Sequence, residues 1–158
     1  MKKDIFIDAS IANKFAKPNE SYRLLIQWLV RIDKENPENN AYLVISDKLK
    51  AEYWGGNQCC QHEFGIRHIY AILQREGRLI PYSADTIQDF IKKQVLPNKN
   101  RLKIRCGKKD WNHFPLIFFS NRKMAIIQDK AFANAVLNFP PFSKNVIVAH
   151  EPHDLDYK

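Results

Sequence analysis

The sequence has little glycine and little cysteine, 5 and 3 residues respectively in a chain of 158. The phosphate-binding P-loop and the dinucleotide-binding fingerprint both need several glycines at fixed spacing, and neither motif is present. An odd number of cysteines, two of them adjacent, does not suit a disulfide framework. No apolar run approaches the roughly 20 residues of a membrane-spanning helix. These absences predict a soluble cytoplasmic protein in a reducing compartment, with no membrane partner.

The adjacent Cys59 and Cys60 lie close in sequence to His62, which raises the question of a zinc site. Structural zinc sites favour two cysteines separated by roughly two to four residues, followed by a second pair of ligands. Adjacent cysteines without a second pair do not fit that spacing. We expect all three to be ordinary residues on the face of a helix.

Positive charge is in excess, and the formal net charge of +8 predicts a polyanionic partner such as nucleic acid. One segment without any acidic residue contains Lys92, Lys93, Lys99, Arg101, Lys103, Arg105, Lys108 and Lys109. Such runs are often no more than solvated surface. This one ends directly before Asp110, so substrate phosphates and a catalytic acid could meet there. The residues that we expect to contact nucleic acid are Lys103, Arg105, Lys108 and Lys109.

Five short apolar runs predict β-strands. They are Asp4–Asp8, Ala41–Ile45, Arg78–Tyr82, Lys123–Ile127 and Val146–Ala149. Segments with helical spacing of apolar residues lie between them. One predicted helix runs from Asp110 to Phe119, with Pro115 tolerated near its first turn. Strands that alternate with helices indicate an α/β fold with a mostly parallel sheet of about five strands.

Four carboxylates occur at or soon after these runs. Asp8 ends the first run, Glu52 follows the second, Asp110 opens an aromatic and aliphatic segment, and Asp129 follows the fourth. In an open parallel sheet the active crevice lies outside the carboxyl ends of the strands. Acidic side chains gathered there repel one another unless a hard divalent cation neutralises them. The pattern predicts a Mg²⁺ or Mn²⁺ site of the kind that hydrolyses phosphodiesters.

The stretches around these acids resemble the PIN-domain family, over most of the chain. They are Ile5–Ser10, Val44–Ser46 with Leu49 and Glu52–Tyr53, Lys109–Asp110, and Ile126–Asp129. The resemblance implies a compact three-layer α/β/α domain at residues 1–150, followed by a polar tail at residues 151–158. It also implies metal-dependent ribonuclease activity. The catalytic, metal-binding acids would be Asp8, Glu52, Asp110 and Asp129, with Ser10 supporting the first.

The same resemblance has consequences for partners. RNA is the implied substrate, and Ser10 is counted among the residues that contact it. Many bacterial and archaeal members of the family are toxins of toxin–antitoxin modules, so an antitoxin protein is an implied partner, and dimers are common among them. The chain departs from the family pattern at Trp111–Pro115, where small and aliphatic residues are usual.

Each acid also has a simpler structural interpretation. Asp8 could cap the turn that follows it, Asp110 could cap a helix, and Asp129 could be a turn residue. Glu52 could pair with Lys48, four residues earlier on the same helix. Their joint occurrence in this order near strand ends favours one shared site over four unrelated roles.

Aromatic residues and a histidine near the acids are likewise open to two interpretations. Tyr53, Trp54 and Trp111 could stack on unpaired RNA bases. Aromatic residues at helical spacing more often belong to the core, as we expect for Trp28. His113 could touch substrate or metal, although a packing or surface role is the commoner outcome.

Two other classes of function compete with the ribonuclease. A non-catalytic PIN-like module would bind nucleic acid or a protein partner without cleaving it. A phosphoacceptor or phosphohydrolase domain would use Asp8 as its nucleophile. Such enzymes usually carry a second aspartate two residues later, where this chain has Ser10. The sequence therefore favours the ribonuclease.

Overall fold

The computed structural model describes residues 2–55 and 65–157, so Cys59, Cys60 and His62 lie outside the described residues. The strands of the described part are β1 Lys3–Ile7, β2 Ala41–Ile45, β3 Leu79–Pro81, β4 Met124–Ile126 and β5 Ile147–Ala149. Its α-helices are α1 Ala9–Ala12, α2 Glu20–Val30, α3 Asp47–Gly55, α4 Ile66–Arg75, α5 Ala84–Phe90, α6 Leu96–Asn98, α7 Lys108–Trp111, α8 Phe114–Phe118 and α9 Lys130–Leu137. The five predicted strands are confirmed, each within one residue of its predicted ends.

The strands form one parallel sheet in the order β3-β2-β1-β4-β5. The chain adds β2 and β3 on one side of β1 and then β4 and β5 on the other. Ile5 pairs with Leu43 and Phe6 with Ala125, which places β1 at the centre. Winding therefore reverses at β1, and its carboxyl end is the switch point at which an open α/β sheet forms a crevice.

Helices cover both sides of this sheet. α2 packs against β2 and α4, whereas α8 packs against β1, β2 and α5. Because both faces are covered, the central strand is a continuous apolar run, and Ile5, Phe6 and Ile7 each have 0% exposure. The predicted α/β class with a parallel five-stranded sheet is confirmed. None of the helices in residues 2–55 and 65–157 combines the length and apolar character needed to cross a membrane.

The predicted helix from Asp110 to Phe119 is wrong in one respect, because the structure divides it into α7 and α8. Pro115 lies in the first turn of α8. Proline has no N–H to donate to a carbonyl one turn earlier, so it suits the start of a helix and interrupts its middle. Asn112 and His113 occupy the break and are buried, with exposures of 7% and 0%.

The C-terminal segment packs against α2. The Tyr22 hydroxyl donates to the carboxylate of Glu151 at 3.3 Å. The rings of Trp28 and Tyr157 lie 5.7 Å apart, and Leu155 is buried. The segment that follows β5 is thereby attached to the helical layer through polar and apolar contacts.

Candidate active site

Asp8 follows β1 and lies at the switch point of the sheet. Its backbone N–H donates to the carbonyl of Ile126 at 3.1 Å, which extends the pairing of β1 with β4. The Ser10 hydroxyl donates to Oδ2 of Asp8 at 2.9 Å. Burial raises the pKa of Asp8, and this hydrogen bond partly offsets the effect. Asp8 precedes α1 without a side-chain capping bond, so the simpler capping role does not apply.

Glu52 is brought to the same end of the sheet by α3. The Ser46 hydroxyl begins this helix by accepting a backbone hydrogen bond at 3.1 Å. The neighbouring Tyr53 is fully buried, and its hydroxyl donates to the carbonyl of Ile7 at 2.6 Å. Because Ile7 is the last residue of β1, this bond attaches α3 to the end of the strand that presents Asp8.

The partner of the Glu52 carboxylate is His113. Nε2 of His113 lies 3.1 Å from each carboxylate oxygen. His113 is fully buried, whereas the Glu52 side chain retains 32% exposure. Lys48 donates from Nζ to Oδ1 of Asn112 at 3.0 Å. The structure therefore gives Glu52 and Lys48 separate partners at the break between α7 and α8, and the alternative of a Lys48–Glu52 pair is not adopted.

Asp110 is the third residue of α7 and is half-buried. Burial raises its pKa, and the charges of Asp8, Asp129 and Glu52 raise it further, whereas His113 acts in the opposite direction. Such effects require the carboxylates to lie within electrostatic range of one another. The structure thus brings acids from four separate segments of the chain into one electrostatic environment.

Asp129 also caps a helix. Its Oδ1 accepts a hydrogen bond from the N–H of Phe132 at 2.8 Å, and α9 begins at the next residue. The structural alternative considered for this acid was a turn residue, and the structure instead makes it the N-cap of α9. The bond uses one oxygen of an exposed side chain, and the charge of Asp129 still raises the pKa of Asp110. Capping and a place at the crevice are compatible.

The chemistry of the four acids suits a hard cation more than zinc. Within residues 2–55 and 65–157, the structure places no group of three or more Asp, Glu, His or Cys side chains in an arrangement that could hold a metal ion. Structural zinc, with about four protein ligands, does not fit such a set. Mg²⁺ keeps several waters and binds through a few carboxylates and the phosphates of its substrate. The raised pKa values of Asp8 and Asp110 mean that both are costly to ionise together, a cost that a bound cation would offset.

The basic segment that precedes Asp110 presents a charged face to solvent. Between residues 99 and 109, its exposed basic residues are Lys99, Arg101, Lys103, Arg105, Lys108 and Lys109. Between them, Leu102 and Ile104 pack against the core, and Cys106 is buried. Apolar residues thereby anchor the segment, while the cations point away from the core. We call these six exposed residues the basic face.

A groove of about 390 Å³ adjoins the basic face. Lys103 and Arg105 line it from the basic segment, Asn134 lines it from α9, and Asn138 lines it from the residue that follows α9. The groove runs along α9, the helix that Asp129 caps. Cationic and amide side chains therefore share one concave surface.

Two of the three candidate stacking residues belong to the core. Tyr53 and Trp111 have exposures of 0% and 8%, so neither is free to stack on a base. Trp54 is half-buried, and the guanidinium carbon of Arg67 lies 5.4 Å from its ring centre. Trp28 is buried at 7% exposure, as expected.

Sequence reasoning named His113 as a possible contact of substrate or metal, but it did not predict the polar contacts that Asn112 and His113 make. Oδ1 of Asn112 accepts from Lys48, and its Nδ2 donates to the carbonyl of Lys109 at 3.0 Å. His113 contacts Glu52 in a similar way. The available signal was the pair Asn112-His113 inside an aromatic and aliphatic segment, since buried polar groups need partners. That signal does not say which partners they have.

The fold is shared with a solved structure. The chain aligns with a TM-score of 0.55 to a chain in the crystal structure of VapBC2 from Rickettsia felis bound to a DNA fragment from their promoter. The alignment covers 94% of this chain and 98% of that chain, at 13% sequence identity. No protein-family model matches the sequence, and no curated protein matches it significantly. The similarity therefore concerns the α/β fold with its five-stranded parallel sheet.

Proposed function

We propose that this protein is a metal-dependent ribonuclease with a PIN-like fold. The observation that carries the proposal is the shared electrostatic environment of four acids at the carboxyl end of the central strand. Burial and neighbouring carboxylates raise the pKa of Asp8 and Asp110, so ionising both is costly without a cation. An arrangement of this kind is typical of carboxylates that bind a hard metal ion.

The residues of the site have distinct roles in this proposal. Asp8, Glu52, Asp110 and Asp129 would hold Mg²⁺ or Mn²⁺, which when bound activates a water and neutralises phosphate charge. The Ser10 hydroxyl orients Asp8 through its 2.9 Å hydrogen bond. The buried side chains of β1 lie behind the acids and exclude water from the inner wall of the site. A low local dielectric strengthens the field that the acids exert.

RNA is the proposed substrate because the basic face leads directly to the acids. Lys108 and Lys109 immediately precede Asp110 and lie in the same short helix. Lys103 and Arg105 line the groove beside α9. Exposed cations release counterions when they bind phosphates, and this release supplies most of the affinity for a nucleic-acid backbone. Affinity and chemistry would therefore be contributed by neighbouring parts of one surface.

A role as the toxin of a toxin–antitoxin module is the biological part of the proposal. Its support is the similarity in fold to a chain of VapBC2, a toxin–antitoxin complex. An antitoxin protein and a second copy of the chain are the proposed partners. Induced expression in a bacterial host is expected to arrest growth, and Asp8→Asn is expected to relieve the arrest at equal protein level.

The biochemical proposal is tested with purified protein and a fluorescent single-stranded RNA. Cleavage is expected with Mn²⁺, is expected to stop in EDTA, and is expected to be lost in Asp8→Asn. The matched control is Asp85→Asn, which removes an exposed carboxylate from the first turn of α5. Equal cleavage by the parent and Asp8→Asn would show that the site is assigned wrongly.

The non-catalytic module remains the competing function, and the same samples decide between the two. Its signature is RNA binding that persists in EDTA and weakens steeply with salt, with no product at any metal concentration. The observation that favours it is that the described residues bring no three Asp, Glu, His or Cys side chains into an arrangement that could hold a metal ion.

A further inference from the structure

We propose that His113 is a positioning residue that holds the Glu52 carboxylate ready for a cation; this inference rests on the ribonuclease proposed above. Nε2 of His113 lies 3.1 Å from both carboxylate oxygens, across 61 residues of sequence. The imidazole is fully buried, and the carboxylate that it contacts is partly exposed. A rigid donor behind an accessible acid is the arrangement that orients ligands in metal sites.

The surroundings of the imidazole bear on which ring nitrogen donates a hydrogen bond. The rings of Phe6 and Phe132 lie 5.4 and 6.2 Å from it, centre to centre. Nδ1 is buried and has no hydrogen-bond partner among the described residues. Nε2 faces the Glu52 carboxylate, whose oxygens accept hydrogen bonds. A ring with its only proton on Nδ1 would leave that donor unsatisfied in apolar surroundings, so the proton belongs on Nε2, from which His113 donates to Glu52.

The donated hydrogen bond matters because a glutamate side chain is flexible. Fixing its rotatable bonds when an ion binds costs conformational entropy, and a partly exposed side chain has more freedom to lose. Nε2 of His113 lies 3.1 Å from both carboxylate oxygens, so one N–H can orient the carboxylate while the remaining lone pairs of its oxygens are left for the cation. The acid is then oriented before the ion arrives, which raises the affinity for the ion.

His113 lies in the break between α7 and α8, within the Trp111–Pro115 stretch where the resemblance to the PIN-domain family does not hold. A small or aliphatic residue there could fill the same space but could not donate to Glu52. The contact therefore adds a supporting side chain that the family resemblance does not supply.

The experiment compares two replacements of His113. His113→Leu keeps an apolar side chain of similar volume and removes the donor, whereas His113→Gln keeps an N–H close to the position of Nε2. Binding of Mn²⁺ alone is measured by titration calorimetry in both variants and in Glu52→Ala. Folding is verified by urea unfolding, and nitrogen NMR of the parent imidazole reports which ring nitrogen carries the proton.

The expected result is a dissociation constant for Mn²⁺ that rises roughly 10- to 100-fold in His113→Leu, with most of the affinity recovered in His113→Gln. In the Glu52→Ala background, adding His113→Leu is expected to change the affinity no further. NMR is expected to show a proton on Nε2 that exchanges faster with solvent in Glu52→Ala.

Three outcomes would overturn the proposal. One is unchanged Mn²⁺ affinity in a folded His113→Leu. Another is a folded His113→Gln that binds as weakly as His113→Leu, because packing rather than donation would then matter. The third outcome is an imidazole ring that carries its proton on Nδ1 and none on Nε2. If the parent protein binds no Mn²⁺ in calorimetry, the proposed metal site is wrong. The proposed role of His113 toward a cation is then wrong as well. NMR would then still report whether the hydrogen bond to Glu52 exists.

Discussion

The Tyr53 hydroxyl donates a 2.6 Å hydrogen bond to the carbonyl of Ile7 and thereby attaches α3 to the end of the central strand. Each of these two residues is the immediate neighbour of an acid, Glu52 in one case and Asp8 in the other. Burial, and then the charges of those acids, raise the pKa of Tyr53 well above its ordinary value of 10.0. The hydroxyl therefore stays protonated, and its hydrogen bond sets the position of Glu52 relative to Asp8.

Removing this hydroxyl is expected to lower both stability and metal affinity. Tyr53→Phe leaves the buried carbonyl of Ile7 without its donor, at a cost of about 1–3 kcal/mol in the free energy of unfolding. Urea unfolding in EDTA measures this loss. Binding of Mn²⁺ is expected to weaken as well, because α3 is then less firmly attached to β1.

The control for that change is Tyr42→Phe, which removes a hydroxyl from a half-buried residue of β2. Its free energy of unfolding is expected to change by less than that of Tyr53→Phe. Equal effects of the two substitutions would mean that the bond to Ile7 contributes nothing particular to the site.

Two replacements of Asp129 are expected to separate its capping role from its charge. Asparagine caps helices about as well as aspartate, whereas alanine costs about 0.5–2 kcal/mol at this position. Asp129→Asn should therefore unfold at nearly the urea concentration of the parent, and Asp129→Ala should unfold at a lower one. Both are expected to lose RNA cleavage. Full activity in Asp129→Asn would mean that this residue acts only as a helix cap.

Without divalent ions, stability is expected to depend on the ionisation of Asp8 and Asp110. Burial raises the pKa of both carboxyl groups above the ordinary value of 3.8, so the folded state binds protons more readily than the unfolded chain. Their stabilising contribution is complete below pH 3.8 and is lost as the pH rises through the raised pKa. Acidification from neutral pH in EDTA should therefore remove a destabilising contribution of these two groups.

The variant Asp8→Asn isolates this contribution because its side chain does not ionise. In EDTA it is expected to be more stable than the parent at neutral pH, with a difference that shrinks as the pH falls toward 4, roughly the ordinary aspartate pKa. Urea unfolding at several pH values measures the difference, and Asp85→Asn serves as the exposed control. A difference that is independent of pH would show that ionisation of Asp8 does not destabilise the folded state.

The basic face is expected to determine how RNA affinity depends on salt. The double variant Lys103→Ala with Arg105→Ala should bind single-stranded RNA more weakly, and the slope of log K against log salt should become shallower by about 0.7 per lost phosphate contact. Fluorescence anisotropy in the Asp8→Asn background avoids cleavage during the measurement.

A matched control removes two cations at the other end of the sheet, where the amino ends of the strands lie. Arg31→Ala with Lys34→Ala changes two exposed residues in the connection from α2 to β2, which lies at the amino end of β2. Its affinity and salt slope are expected to stay close to those of the parent. Equal losses in the two double variants would mean that RNA follows net charge rather than the groove beside α9.

The strands were predictable from sequence because their signal is local. An apolar run such as Ala41–Ile45, bounded by polar residues, indicates a buried strand without knowledge of its partners. The helix predicted to begin at Asp110 was wrong in one respect. Pro115 lies in the first turn of a helix, as expected, but that helix begins at Phe114 and not at Asp110. Local rules place the proline correctly in a first turn but do not say which turn that is.

The long-range polar contacts were not predictable in the same way. Asp4 is an example, because its carboxylate is buried at 1% exposure and accepts hydrogen bonds from the N–H groups of Asn121 and Arg122 at 2.8 Å each. The partners lie 117 and 118 residues away along the chain. The pattern of apolar residues within β1 contains no information about which loop, here the one before β4, will donate hydrogen bonds to Asp4.

By itself, the sequence determined the α/β class, the strands, and the placement of four acids near strand ends, because apolar periodicity and capping are properties of short segments. The tertiary structure decided which polar side chains meet around those acids. His113 contacts Glu52 and Asn112 contacts Lys48, both across the break between α7 and α8, while α8 packs against β1 and β2. Such pairs depend on the order of the strands within the sheet. That order places residues from distant segments of the chain side by side at the end of β1.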